Sequence, residues 1–471
     1  MTELAAERRR LDLLRAAGLM GAAVLAGIMA VQAPFVLAAM LFGGLLLAAV
    51  FVRPLLVLGI VLMLGPVDLS FLTGGMRGLF QSIGGLDMNG VRLVGVCAGL
   101  GATAVALPGT RAVMLGWRGI MYVLFLLWAG LSLAWSHNLL DGLRLWLHIA
   151  YPLLVFVTIV GIARSPQDLD RLVDFALIGA ALVVFVLNPI YSAAGGYEVY
   201  QSGHMRVRGV GTHENPISFY LVASLYMAFT RLVLRRKWRY LILSVAIGFW
   251  LALTLSRITF LAALVGLGSI GVYAAFTMRN PRVLLATAAT AFVLGVALVP
   301  VVIERTFGFA ATPTELFALM RSPMALYESI NWQGRELAWP IVFAAFLTQP
   351  WTGLGLGSSI LIMRQYFPPE VGPLVHNDYL RVAVETGVIG LVLFTGAMMA
   401  WLASVLKADR RTRGAAREYT LPALAALLSW GTIAITDNAL NVAPFTQTVA
   451  LLVGASVAFT VMQHREEAGE P

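Results

Sequence analysis

Long apolar runs alternate with short polar ones along nearly the whole chain. They fall at about 16–32, 34–52, 54–73, 91–108, 119–136, 145–163, 172–191, 216–231, 239–255, 258–277, 283–303, 381–403, 420–436 and 445–462. A helix needs about 20 apolar residues to cross a bilayer, so these are roughly fourteen spans. Pro66 and Asp68 interrupt the third run, and merging the first three leaves about twelve. The pattern predicts an all-α, polytopic helical membrane protein of about 12–14 transmembrane helices. Between two spans lies one long polar-containing loop, 304–380, the only segment able to form a small subdomain outside the membrane. Within it, 335–348 reads as an amphipathic or surface-lying helix and Gly353-Leu354-Gly355-Leu356-Gly357 as a flexible turn. The tail, Gln463 to Pro471, reads as short and disordered, and no internal repeat is visible.

Charge orients the spans. The chain is 59% hydrophobic and 12% charged, about half the charged share of a soluble domain. The net charge of +9 does not point to nucleic acid, because most basic residues sit in short loops, where they set topology. With the N-terminus in the cytoplasm, Arg53, Arg111 and Arg118, Arg164 and Arg171, the cluster Arg231 to Arg239, Arg279 and Arg282, Lys407 to Arg417, and His464-Arg465 all fall inside. The outer side then holds 74–90, 192–215, the turn Thr254-Leu255-Ser256-Arg257 and the loop 304–380. The chain divides into N-terminal helices over 1–190, a core with the long loop over 191–403, and C-terminal helices with a short tail over 404–471. Arg8, Arg9, Arg10 and the first apolar run also resemble a signal peptide cleaved after Val31-Gln32-Ala33, but the topology uses that run as a span. A single Cys97 excludes an internal disulfide and a cysteine ligand cluster.

The candidate chemistry lies on the outer side, at span edges. Arg208 precedes a helix in Arg206-Val207-Arg208-Gly209-Val210-Gly211-Thr212-His213-Glu214-Asn215-Pro216, with Arg206 as its rival. Arg257 stands between two spans with almost no loop, and His376 opens His376-Asn377-Asp378-Tyr379 before an apolar helix. Cations are disfavoured on this side, so an arginine there usually has an anionic partner, and its planar fork suits phosphate oxygens. Two such arginines plus the amides of a helix start suit a diphosphate. A neutral histidine beside them can take a proton from a hydroxyl. The plainer readings stay open. An arginine at a helix end snorkels to headgroups, a loop histidine is commonly just solvated, and Asn377 or Asp378 can cap the helix. Glu385, two turns further on, is either a buried polar partner or faces other helices, while Gly387 and Gly390 suggest close helix packing. The other histidines have no metal-site spacing, and Gly353 to Gly357 lacks the Lys and Ser/Thr of a nucleotide phosphate loop.

Taken together, these segments resemble the bacterial O-antigen ligase and polysaccharide polymerase family over about residues 200–400. The resemblance is carried by Arg208-Gly209-Val210-Gly211 with Asn215-Pro216, by Leu253 to Arg257, by Gly334-Arg335, Trp339, Pro350 and Gly353-Leu354-Gly355, and by His376-Asn377 through Glu385-Thr386-Gly387 and Gly390. His213 departs from that pattern, at a position often aromatic or apolar in the family. The resemblance implies a glycosyltransferase on the periplasmic face of the bacterial inner membrane, with neither metal nor cofactor. Its donor would be a glycan on undecaprenyl diphosphate. Its acceptor would be lipid A-core in a ligase, the preferred reading, or another lipid-linked repeat in an O-antigen or exopolysaccharide polymerase. Arg208 and Arg257 would hold the diphosphate and His376 would activate the acceptor hydroxyl, with Asn377, Asp378, Glu385, Arg335, Arg206 and His213 as supporting candidates. A transporter or flippase for lipid-linked sugars is the alternative of another class. It should show an inverted repeat and ionisable residues near mid-membrane, whereas here the charges crowd at span edges. A non-catalytic scaffold of a polysaccharide machine would tolerate loss of His376.

Overall fold

The computed structural model describes residues 53–66, 96–101, 103–104, 110–195, 197–199, 205–207, 214–278, 281–307, 314–315, 318, 321–332, 334–367 and 374–468. The runs 16–32 and 34–52, the end of the third run and the segment 74–90 lie outside the described residues. The chain divides into two compact units, 1–57 and 58–471. The described part of the first is 53–57, and the rest of the described structure belongs to the second.

The elements are α1 (Pro54–Leu64), α2 (Thr110–Leu115), α3 (Ile120–Leu131, extended by a 3-10 turn Ser132–Trp135), α4 (Leu139–Ile162) and α5 (Pro166–Leu182, which continues through a π turn into Asn188–Ala193). A small antiparallel hairpin follows, β1 (Tyr197–Val199) with β2 (Met205–Val207), pairing Tyr197 with Val207 and Glu198 with Arg206. Then come α6 (Glu214–Arg235), α7 (Trp238–Leu253), α8 (Arg257–Tyr273), α9 (Pro281–Phe307), α10 (Pro323–Ser329), α11 (Arg335–Thr348), α12 (Ser358–Tyr366), α13 (Asp378–Arg411), α14 (Arg417–Thr436) and α15 (Ala443–Ala468). Among the described residues, α4, α5 with its continuation, α6, α8, α13, α14 and α15 are seven helices long and apolar enough to cross a membrane, with α1, α3 and α7 as shorter apolar helices. The protein is a polytopic helical membrane protein, and the hairpin is the departure from an all-helical pattern. The tail is not a loose one: α15 runs on through Ala468.

The bundle is centred on α15, whose apolar window is 89% buried against 33% for α13. Small residues let α14 and α15 approach their neighbours closely, and Ala423, Ala425, Ala426, Ala450 and Ala455 are all fully buried. Trp401 on α13 stacks on Tyr122 of α3 at 5.0 Å and meets Phe156 of α4 at 5.4 Å. At one end of the bundle, Arg231 is buried against Asp170 and Asp174, while Arg235 pairs with Asp170 and Glu418. A buried charge is tolerable only when paired in this way. The network joins α5, α6 and α14 at an end where the charge rule puts three separate basic loops on one side. The opposite end carries the turn 254–257 and the described parts of 192–215 and 304–380.

At that opposite end α13 is broken. Gly387 holds φ 71 and ψ −174 inside the helix, a conformation open to glycine. The groups freed by the break are taken up by the glycine loop. Leu354 and Gly355 amides donate to the Val384 and Glu385 carbonyls at 2.8 and 2.9 Å, and the Val388 amide donates to Pro350 O at 2.8 Å. The α3–α4 connection grips the loop from the other side. Trp135 Nε1 donates to Gly353 O at 3.1 Å and Ser136 Oγ to Leu356 O at 2.6 Å. Gly353, Gly355 and Gly357 are therefore a clamped, buried plug rather than a flexible turn, and a Cβ on any of them would run into backbone.

Candidate functional site

The candidate site forms where α6, α8, α11, α13 and the α14–α15 turn meet. His376 precedes α13 and is pinned from both sides. Trp339 Nε1 of α11 holds the Val375 carbonyl at 2.9 Å, and Asn377 caps α13 by accepting from the Leu380 amide at 2.9 Å. Between these anchors His376 takes φ 54, a left-handed conformation costly for a non-glycine residue and one found where surrounding structure over-determines it. Its imidazole Nδ1 lies 3.1 Å from Asp437 Oδ1, and the side chain is 29% exposed, so the ring remains reachable.

Asp437 is the hub. It follows α14 directly, is nearly fully buried, and its Oδ1 accepts from the Asn438 amide at 2.8 Å as well as facing His376. Its Oδ2 accepts from Asn215 Nδ2 at 2.6 Å, and Asn215 Oδ1 accepts from Ser256 Oγ at 3.1 Å. Ser256 is the N-cap residue of α8, immediately before Arg257. One relay thus ties the starts of α6, α8 and α13 to the end of α14. Burial pushes the Asp437 carboxyl up, but the hydrogen bond and charge of His376, the Asn438 amide and the Arg335 charge together hold it below the ordinary carboxylate range. It is therefore an anion at neutral pH and accepts a hydrogen bond from Nδ1–H. Asn438 Nδ2 also lies 3.2 Å from that nitrogen. An Nδ1 that donates to a carboxylate cannot accept from an amide, so the charged partner decides the tautomer and Nε2 is left as the basic nitrogen.

The two arginines converge on one turn of the long loop. Arg257 Nη1 donates to Asn331 O at 3.0 Å and Arg335 Nη1 to Trp332 O at 3.2 Å. Burial lowers the Arg335 guanidinium's affinity for its proton, partly offset by Asp437 and Glu336. Leu255, two residues before Arg257, holds φ 50, the second strained residue of this site.

The remaining sequence candidates sort differently. Asp378 is buried, pairs with Arg381 at 2.9 Å and accepts from the Leu440 amide at 2.8 Å, while Arg381 Nη1 reaches Asn441 Oδ1 at 2.6 Å. These two residues clamp the 439–441 turn onto α13 and so hold Asp437 in place. Glu385 is buried away from His376 and accepts from Ser359 Oγ at 2.5 Å and from the amides of Gly357 and Ser359, capping α12. Arg206 lies in β2, opposite Glu198. Arg208 and His213 lie outside the described residues. Among the described residues, no group of three or more His, Cys, Asp or Glu side chains could hold a metal ion. Asp437 is the functional candidate that sequence reasoning did not single out, while Asn215 and Ser256 stood in motif segments without a role of their own. The signal for Asp437 was present, since it is the only Asp, Glu, Lys or Arg between Glu418 and Arg465.

Residues 242–395 match the model of a family described as O-antigen ligase. The match takes in Arg257, Arg335, His376 to Asp378 and Glu385, and leaves Asn215 and Asp437 outside. No curated protein matches the chain.

Proposed function

We propose that this chain, whose residues 242–395 match the O-antigen ligase family, moves a glycan from a lipid diphosphate to a hydroxyl acceptor on the outer face of the bacterial inner membrane. The family supports a lipid-linked glycan ligase or polymerase type of reaction. The observation that carries the reading is the His376–Asp437 pair, a partly exposed imidazole held in one tautomer by a buried anion beside two arginines. The acceptor hydroxyl gives its proton to Nε2 of His376. Its oxygen forms the new bond to the anomeric carbon, and the bond from that carbon to the diphosphate breaks, the electron pair leaving with the diphosphate. Negative charge grows on the leaving group as positive charge grows on the imidazole. Arg257 and Arg335, with Arg208 added from the motif resemblance, offset the first, and Asp437 offsets the second. This reading needs no metal, because the guanidiniums supply the positive charge. Undecaprenyl diphosphate is the proposed donor lipid and lipid A-core the proposed acceptor.

The test is a deletion strain complemented with wild type or His376→Ala, with glycans separated by what they are attached to. His376→Ala should insert normally and form no transferred product. Long glycan accumulating on the lipid diphosphate identifies a ligase, and single repeats accumulating there identify a polymerase. Normal product from His376→Ala removes the catalytic reading.

A further inference from the structure

A second cluster lies at the far end of the bundle from His376, where α2 and α3 meet the last turns of α13 and α15. Trp117, in the α2–α3 turn, has two cations over its indole: Arg118 at 5.7 Å and Lys407 of α13 at 5.0 Å from the ring centroid. The two charges are thus no farther apart than the sum of those distances. Arg411, one turn beyond Lys407, acts on Arg118 as a like charge, and its Nη1 lies 3.1 Å from His464 Nε2 of α15. Among the described residues, no carboxylate lies within ion-pair distance of Arg118, Lys407 or Arg411. Glu467 stands behind His464, 3.5 Å from its Nδ1. Burial and Arg411 both disfavour the charged form of the Arg118 guanidinium. Two like charges on one aromatic plate, with a third beside them, are costly unless an anion joins them.

We propose that this cluster binds the phosphodiester headgroup of an anionic membrane phospholipid. A lipid fits better than a soluble anion because the cluster sits on an apolar outer surface. Trp117 is 44% exposed, Leu115 beside it 67%, and Met121, one turn further along α3, 41%. An exposed indole flanked by apolar side chains and capped by cations is the arrangement of a bilayer interface, with room for acyl chains along α3 and a phosphate among the cations. The site is separate from the transfer site and does not depend on that reading.

The experiment follows thermal unfolding of the purified full-length protein in neutral detergent, titrated with phosphatidylglycerol, phosphatidylcholine or inorganic phosphate. Phosphatidylglycerol should raise the unfolding midpoint, and the other two should not. Arg118→Gln with Lys407→Gln should weaken the apparent affinity for phosphatidylglycerol roughly thirtyfold, taking each cation near an anionic headgroup at about a fivefold effect. Lys407→Gln alone, on an exposed side chain, should give about fivefold, which keeps the test decisive if the double variant folds poorly. Arg413→Gln, an exposed cation at the same end, should bind like wild type. An equal gain from inorganic phosphate makes this a soluble-anion site and overturns the lipid assignment. Undiminished binding by Lys407→Gln, or an equal loss in Arg413→Gln, overturns the cluster itself.

Discussion

Replacing Asp437 with Asn removes one charge and almost no volume, and the hydrogen-bond geometry decides how the site responds. An amide NH2 must take the place of one carboxylate oxygen. At Oδ1 it would face the Asn438 backbone amide, 2.8 Å away, which cannot turn. At Oδ2 it would face Asn215 Nδ2, 2.6 Å away, and that amide can flip to offer its oxygen while its NH2 turns to Ser256 Oγ. The second arrangement is therefore adopted, and a carbonyl oxygen still accepts from His376 Nδ1. What is lost is the charge of the acceptor. A hydrogen bond to a charged group contributes roughly 1.5–3 kcal/mol against about 0.5–1.5 for a neutral one. The difference, of the order of 1–2 kcal/mol, weighs most once the imidazole has taken the acceptor's proton. Transfer should slow roughly five- to thirtyfold. Donor KM should hold, because the ground state keeps its contacts. The assay is initial-rate transfer by purified protein from a synthetic polyprenyl-diphosphate glycan. A wild-type rate refutes the pairing. A loss as complete as that of His376→Ala, in a folded variant, refutes it in the other direction, since Asp437 would then be touching substrate itself.

Other perturbations have equally definite outcomes. Gly387→Ala puts a Cβ against the Trp351 carbonyl oxygen at a left-handed position. It should lower the unfolding midpoint in detergent, with the backbone term alone costing about 1–3 kcal/mol, and an unchanged midpoint would mean the break in α13 does not need glycine. The Asp437 carboxyl is depressed in the folded state, so its stabilising contribution is fully present above the unfolded value of about 3.9 and is lost as pH falls through the lower folded value. The midpoint difference between wild type and Asp437→Asn should hold from pH 7 to about 5 and close below about 4; a gap already closing at pH 6 would contradict the depressed value. With Cys97 replaced, single cysteines placed over 304–367 should react with an impermeant reagent from the periplasmic side. Labelling from the cytoplasm alone would invert the proposed orientation.

Much of the bundle was legible because its signal is local. An apolar run long enough to span a bilayer needs no partner to be recognised, and the helix over 335–348 was readable at its observed bounds. Asn377 as a cap was equally local. What sequence did not show depends on contacts between distant segments. Gly387 looked like a packing glycine, yet it breaks α13 because residues 350–355, thirty-odd positions earlier, supply the hydrogen bonds that the break requires. The glycine loop looked flexible because nothing nearby in sequence reveals that the α3–α4 connection grips it. Glu385 sits in the motif with His376, but the helix turns its carboxylate to the start of α12, where it caps rather than reacts.

Asp437 shows most clearly why a motif is not a site. The matched stretch 242–395 supplies His376, Arg257 and Arg335, yet a histidine at the end of a loop has no fixed tautomer and no counter-charge of its own. Both come from a carboxylate some 60 residues downstream, held by the Asp378–Arg381 clamp on the 439–441 turn and by Asn215 from α6. The clamp residues lie within the motif and the turn they hold lies outside it. The motif's buried acid and its arginine are thus explained by position rather than by chemistry: they hold the turn that carries the residue His376 needs. A protein that keeps His376 but changes the α14–α15 turn should retain the fold of the core and lose the orientation of its base. Transplanting residues 242–395 without α6, α14 and α15 should therefore give helices without transfer.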